Sequence, residues 1–223
     1  MKLIHNEYSI ALEFKENEVQ VLTIEEPSVY AKLLEELCTQ SAGGEGNWCC
    51  IENMKEIPIG KNAEIVLSPM ALEMNGRKII GKLQQELKSI SDDDYYEEIQ
   101  QINSAIVGYL DRLSMKVPYP LQYSIELDPL GIYKLYDVKI EAEAVMLAER
   151  ISQYIQLVGK LCGVSLVIFV NLKSFLTDSE LLELYKTSFY GKIKLLLIES
   201  MQRDVLKDEH HVLMDKQKCL IEF

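Results

Sequence analysis

The sequence predicts an α/β fold whose mainly parallel sheet, with flanking helices, is interrupted by a mostly helical insertion. The C-terminal half alternates helical patterns with apolar, strand-sized segments, which is typical of a parallel sheet. Strand-like segments also open the chain, whereas the middle carries two long helical patterns. We therefore predict a sheet domain from residues 1–59 and 141–223 and a helical domain from residues 60–140.

The N-terminal part predicts short strands followed by a helix. Ala11–Phe14 and Glu18–Glu25 are rich in β-branched and apolar residues and are separated by a polar turn. Apolar residues then recur at helical spacing over Val29–Leu37, and Ser28 is placed to cap the first turn. After a glycine-rich loop, Trp48–Glu52 predicts a further strand.

Two helices are predicted in the insertion. Apolar residues recur at helical spacing over Ile80–Ile90 and again over Ile99–Leu113. The acidic run Asp92–Asp94 suits the start of the second helix, because negative side chains stabilise the positive end of the helix dipole. This helix is expected to run from about Asp93 to Met115 and to end before the proline-rich VPYP stretch.

The C-terminal part supplies the parallel strands and their crossover helices. Residues 141–161 predict an amphipathic helix, and the apolar segment Ser165–Asn171 predicts a central strand. Thr177 and Glu180 have the spacing of a capping box before the next helix. Further strands are predicted at Lys192–Ser200 and within His211–Phe223.

Composition and missing motifs exclude several classes of protein. No apolar run reaches the roughly 20 residues of a membrane span, and the N-terminus does not resemble a signal peptide. The five cysteines show no C-x-x-C spacing, so we expect a reduced, cytoplasmic protein without a membrane partner. No phosphate-binding loop occurs, so nucleotide hydrolysis is unsupported, and no G-x-S-x-G elbow occurs. A hydrolase with its catalytic residues at distant positions stays open, and no catalytic residue is assigned.

The segment Tyr123–Glu141 concentrates acidic residues around a predicted turn. A chain reversal near Pro129–Gly131 would bring two pairs of carboxylates together, and they would repel one another without a cation. Calcium accepts six to eight oxygen ligands in flexible geometry, although the spacing is not that of an EF-hand. The residues alone leave two interpretations open, a solvated turn, which the acidic composition favours, and a cation site. The candidate ligands are Glu126, Asp128, Asp137 and Glu141.

Basic side chains gather in the insertion of a chain whose formal net charge is −12. Lys78 and Lys82 are four residues apart and lie on one face if the helix begins that early. An ordinary solvated face is one interpretation, and a local positive surface that follows nucleic-acid phosphates is the other. The candidate contacts are Arg77, Lys78, Lys82, Lys88, Lys134 and Lys139.

Five segments together resemble a known family. They are Val21–Leu37, Ser124–Glu141, Val164–Leu184, Lys192–Ser200 and His211–Phe223. In this order they are similar to the small accessory protein of type II-A CRISPR systems that takes part in acquiring new spacers. The N-terminal residues before Val21 match the family only loosely.

The resemblance implies a non-catalytic protein that binds double-stranded DNA ends as a homotetrameric ring. It implies a head similar to P-loop proteins without a working nucleotide site, a helical leg, and calcium ions near the hinge between them. The four carboxylates of Tyr123–Glu141 then become the candidate calcium ligands. The implied partners are the CRISPR integrase complex and the RNA-guided nuclease.

Two other functions remain as alternatives. A nucleotide-binding phosphotransfer enzyme would use the α/β sheet, but only the fold class supports it. A scaffold that recruits partners without holding DNA is the third hypothesis.

Overall fold

The computed structural model describes residues 1–141 and 146–223 and divides the chain into two compact units. The sheet unit comprises Met1–Met74 and Ala142–Phe223, and the helical unit comprises Asn75–Glu141. Residues 60–74, which the sequence assigned to the insertion, belong to the sheet unit because they contain a strand that pairs with Leu166–Val170.

The secondary structure follows the order strand, helix, strand through most of the sheet unit. The strands are β1 (Lys2–His5), β2 (Ile10–Glu13), β3 (Val19–Ile24), β4 (Trp48–Glu52), β5 (Lys55–Ile57), β6 (Ala63–Val66), β7 (Leu166–Val170), β8 (Lys194–Glu199), β9 (Glu209–Met214) and β10 (Leu220–Glu222). The α-helices are α1 (Pro27–Ser41), α2 (Ile59–Asn62), α3 (Arg77–Asp94), α4 (Tyr96–Ser114), α5 (Pro129–Leu135), α6 (Leu147–Cys162) and α7 (Asp178–Tyr190). Short 3-10 turns occupy Pro69–Ala71 and Leu172–Ser174.

A six-stranded sheet organises the sheet unit and confirms the predicted α/β class. Its strand order is β10-β9-β3-β8-β7-β6, and every pairing is parallel except that of β10 with β9. Strands β3 and β7 are buried along their whole length, as expected for strands covered by helices on both faces. The carboxyl ends of β3, β6, β7, β8 and β9 therefore lie at one edge, which we call the carboxyl edge.

Helix α1 packs between this sheet and a smaller one. Strands β2-β1-β4-β5 form the smaller sheet, which is antiparallel throughout. Val29, Leu33 and Leu37 of α1 are buried in a core shared by both sheets. The predicted cap at Ser28 is wrong, because the helix already begins at Pro27 and the Ser28 hydroxyl donates to Glu26 Oε1 at 2.9 Å.

The opposite face of the large sheet is covered by α6 and α7. In α6, Ile151, Ile155 and Val158 face the sheet, as the sequence predicted. The predicted capping box of α7 is confirmed, since Thr177 and Glu180 bond each other's backbone amides. Residues 142–145, which the sequence placed in the helix that becomes α6, lie outside the described residues.

The helical unit consists of α3, α4 and the short α5. The predicted placement of Asp92–Asp94 is wrong, because these residues form the last turn of α3 and α4 begins at Tyr96. The Tyr133 hydroxyl of α5 donates to Leu87 O of α3 at 3.1 Å. The two ends of the unit are joined by the Asn75 side chain, which bonds Ile140 O and Ile140 N at 2.9 Å each.

Within residues 1–141 and 146–223, none of the helices combines the length and the hydropathy that a membrane-spanning helix requires.

Candidate nucleic-acid interface and cation site

The first turns of α3 bring three of the predicted basic residues together. Arg77, Lys78 and Lys82 line a shallow groove of about 530 Å³ with Gly81 and Gln85. A helix N-terminus disfavours cations, and the first turn of α3 contains no acidic residue. This charge pattern does not stabilise the helix through its dipole.

The other predicted basic residues are held by nearby carboxylates or by a helix end. Lys88 Nζ lies 3.0 Å from Asp128 Oδ1, and Lys139 Nζ lies 2.5 Å from Asp137 Oδ2. Lys134 occupies the last turn of α5, where the helix dipole favours a cation. Lys88 lies three turns beyond Arg77 on nearly the same face of α3, about 16 Å along the axis.

The four predicted calcium ligands are placed separately in the helical unit. Asp128 caps α5, because its side chain accepts from Leu130 N at 3.3 Å. The hydrogen bond from Lys88 lowers the pKa of Asp128. Asp137 has a left-handed backbone with φ of 50°, and Glu126 and Glu141 are exposed. The segment is therefore a short capped helix with flanking loops.

This arrangement does not supply a calcium coordination shell. In residues 1–141 and 146–223, no group of three or more His, Cys, Asp and Glu side chains is placed to hold a metal ion. Asp128 and Asp137 are each neutralised by a lysine instead. The carboxylates have the right chemistry for calcium, but their present placement does not fit it, and the site stays a prediction.

The sheet unit contains a buried ionic cluster that the sequence did not predict. Glu209 Oε2 lies 2.8 Å from Lys173 Nζ and 2.7 Å from His211 Nε2, and Glu209 Oε1 accepts from the Tyr185 hydroxyl at 2.5 Å. Burial alone would raise the pKa of Glu209, but the bonds from His211, Lys173, Tyr185 and the Leu206 amide outweigh it and lower the pKa to about 2.

A second buried carboxylate is only half satisfied. Glu199 ends β8, and its Oε1 accepts from the backbone amide of Lys173 at 3.1 Å. Among the described residues, its Oε2 has no hydrogen-bond partner. Burial is the largest effect on this carboxyl and raises its pKa to about 7. The nearby Tyr30 hydroxyl is also buried and unpaired there, and burial together with the Glu199 charge raises its pKa to about 12.

The carboxyl edge at β3 is where a P-loop protein would bind phosphates. Here β3 ends at Ile24 and α1 begins at Pro27, so only Glu25 and Glu26 connect them. A phosphate-binding loop needs a longer glycine-rich turn whose backbone amides surround the phosphates. Two carboxylates in this position would instead repel them. The geometry therefore gives no support to a nucleotide site at this strand.

A protein-family model matches most of the chain. The model is described as CRISPR-associated protein (Cas_Csn2), and the match covers residues 40–218. No curated protein sequence matches the chain.

Solved structures with a similar backbone arrangement include ATP-binding cassettes. A nucleotide-free ATP-binding cassette from an ABC transporter is 11% identical, with a TM-score of 0.45, covering 92% of this chain and 79% of its own. The ADP conformation of MJ1267, a cassette of an ABC transporter, is 12% identical, with a TM-score of 0.48 and coverages of 95% and 82%. The post-hydrolysis dimer of the cassette MJ0796 with ADP and Pi is 8% identical, with a TM-score of 0.41 and coverages of 92% and 84%.

Proposed function

Because the chain belongs to the CRISPR-associated Cas_Csn2 family, whose function lies in spacer acquisition, we propose that it binds the ends of double-stranded DNA without catalysis. The observation that carries the proposal is the groove of Arg77, Lys78 and Lys82 on α3. Because the whole chain has a formal net charge of −12, DNA binding depends on positive charge that is concentrated in this groove. The two-residue connection between β3 and α1 supports a non-enzymatic role.

Removal of charge from the groove is expected to weaken DNA binding. Arg77→Ala with Lys82→Ala should lower the affinity for a blunt linear duplex at low salt. Each lost phosphate contact flattens the plot of log affinity against log salt by about 0.9, so the slope should fall by about 2. Fluorescence anisotropy over a salt series measures both quantities. A closed circular duplex of the same sequence should bind much more weakly than the linear one.

The matched control removes the same charge elsewhere. Lys207 and Lys216 are exposed lysines of the sheet unit, and their replacement by alanine should leave the salt slope unchanged. If the two double variants lost affinity equally, the groove would not be the binding surface. Equal binding of linear and circular duplexes would exclude preference for ends.

Helix α4 offers a surface for assembly into the proposed homotetramer. None of its residues is buried, and four large apolar side chains are 41–55% exposed along one face. They are Ile102, Ile106, Tyr109 and Leu113. Such a continuous stripe is unusual on a single soluble chain, and we propose that another copy covers it. A mass of four chains in sedimentation experiments would show the tetramer.

Calcium is proposed as a structural ion of this assembly. A calcium ion would have to displace lysine from Asp128 and Asp137, and binding would then stabilise the folded protein by mass action. The melting temperature of the chain should rise with calcium, and Asp128→Asn with Asp137→Asn should remove most of that rise. Asp92→Asn with Asp94→Asn, two exposed carboxylates of α3, is the control. An undiminished rise in the first variant would reject these ligands.

The family and the cysteines suggest the partner proteins and the cellular location of this chain. We propose that the protein acts beside the CRISPR integrase complex and the RNA-guided nuclease, in support of spacer acquisition. Among the described residues, Cys38, Cys49, Cys50 and Cys219 form no disulfide, which suits the reducing cytoplasm as its location.

A further inference from the structure

Large apolar side chains are exposed at the carboxyl edge of the six-stranded sheet. The connections that follow β6, β7 and β8 present Leu67, Phe175 and Met201, which are 55%, 44% and 53% exposed. Met70, just after Leu67, is 59% exposed. Because β8, β7 and β6 are neighbours in the sheet, these connections lie side by side. Exposed apolar side chains do not stabilise the fold, and a group of them is typical of an interaction site. The composition of this edge is therefore that of a binding surface.

An acidic groove begins at the same edge. It lies between the first turns of α6 and α7 and has a volume of about 450 Å³. Glu149 of α6 and Glu180 and Glu183 of α7 line it, together with the methyl group of Ala148. Helix α7 starts three residues after Phe175, which makes the groove continuous along the chain with the apolar side chains.

Part of this negative charge is available to a ligand. Glu183 is paired with the exposed Lys186 at 2.7 Å, and Glu180 takes part in the capping box with Thr177. Glu149 is exposed and has no ion pair or hydrogen bond within the described residues. It stands in the first turn of α6, where an acidic side chain is also favoured by the helix dipole.

We propose that this surface, made of Leu67, Met70, Phe175 and Met201 with the acidic groove beside them, binds a cationic amphipathic helix of a partner protein. The apolar face of such a helix would contact Phe175 and the flexible methionines, and its lysines or arginines would lie along Glu149, Glu180 and Glu183. DNA does not fit, because the groove carboxylates repel phosphates. A second copy of this chain fits poorly, since its own net charge is −12. This surface uses none of the residues proposed to contact DNA on α3.

The test uses the full chain and a labelled synthetic helix of leucine and lysine as the probe. Glu149→Lys combined with Phe175→Ser removes one charge contact and one apolar contact, and the dissociation constant should rise at least ~10-fold. The control, Glu35→Lys with Tyr190→Ser, makes the same chemical changes on α1 and at the far end of α7. Both replaced control residues are exposed, and their variant should bind the probe like the unmodified chain.

Three results would overturn the proposal. Equal weakening in the two variants would mean that the probe is held only by the overall charge of the protein. A change of oligomer mass in the first variant would show that another copy occupies the surface. Competition between the probe and a linear duplex would assign the surface to DNA, whereas unweakened duplex binding by the first variant, together with its loss of probe binding, supports a separate partner site.

Discussion

Glu199→Gln is expected to stabilise the protein at pH 8 and to change its stability much less at pH 5. The pKa of Glu199 is about 7 in the fold against an ordinary value of 4.5, because the carboxyl is buried at the end of β8. The fold thus favours the protonated form. Stability from this group is full below pH 4.5 and is lost as the pH rises through 7. Glutamine is neutral throughout and keeps an oxygen for the amide of Lys173.

The size of the effect follows from the same shift. The stability gain of the variant over the unmodified chain should be larger at pH 8 than at pH 5 by about 2.5 kcal/mol. Urea unfolding at pH 5, 6.5 and 8 measures it. Glu35→Gln, at an exposed carboxylate of α1, is the control and should show no such pH dependence. A gain that is equal at all three pH values would mean that Glu199 stays ionised in the fold.

Local patterns in the sequence were sufficient for the elements that position the sheet. Thr177 and Glu180 encode their capping box within four residues, and Ser165–Asn171 is apolar enough to require a central strand. The end of α3 could not be located in this way. Acidic residues usually begin a helix, but Asp92–Asp94 close one, and the break at Tyr95 is not marked by glycine or proline.

Sequence patterns could not predict the buried ionic cluster for another reason. Glu199 and Glu209 lie 26 and 36 residues after Lys173 along the chain. Each has the character of a surface residue, and the parallel strand order β9-β3-β8-β7 brings them together. The candidate ligands Asp128 and Asp137 show the opposite case. Their acidity was visible in the sequence, but the lysines that neutralise them were not assigned to them.

Glu209→Gln is expected to cause the largest loss of stability among single substitutions in this cluster. The Lys173 ammonium is 4% exposed and lies 2.8 Å from Glu209 Oε2, so the variant leaves a buried charge without its counter-ion. Breaking a buried pair in this way costs about 3–5 kcal/mol. The Tyr185 hydroxyl and His211 also lose a charged acceptor. Urea unfolding at pH 7 measures the loss.

A second substitution separates the ion pair from general disruption of the core. Lys173→Met should lower the stability less in the Glu209→Gln background than in the unmodified chain. In that background it removes a buried ammonium that has already lost its counter-ion. The exposed pair of Lys186 and Glu183 is the control, and Glu183→Gln should change the stability by less than about 1 kcal/mol.

The pH dependence gives an independent check on Glu209. Its pKa is about 2 in the fold against an ordinary value of 4.5, so its contribution is full above pH 4.5 and disappears as the pH falls toward 2. The stabilities of the unmodified chain and of Glu209→Gln should therefore converge in acid. The stabilisation from Glu199 changes in the opposite direction, because it is lost as the pH rises from 4.5 to 7. Together the two carboxylates favour a maximum of protein stability near pH 4.5. A constant difference between the unmodified chain and Glu209→Gln down to pH 2 would show that the carboxylate of Glu209 is not the group that holds Lys173.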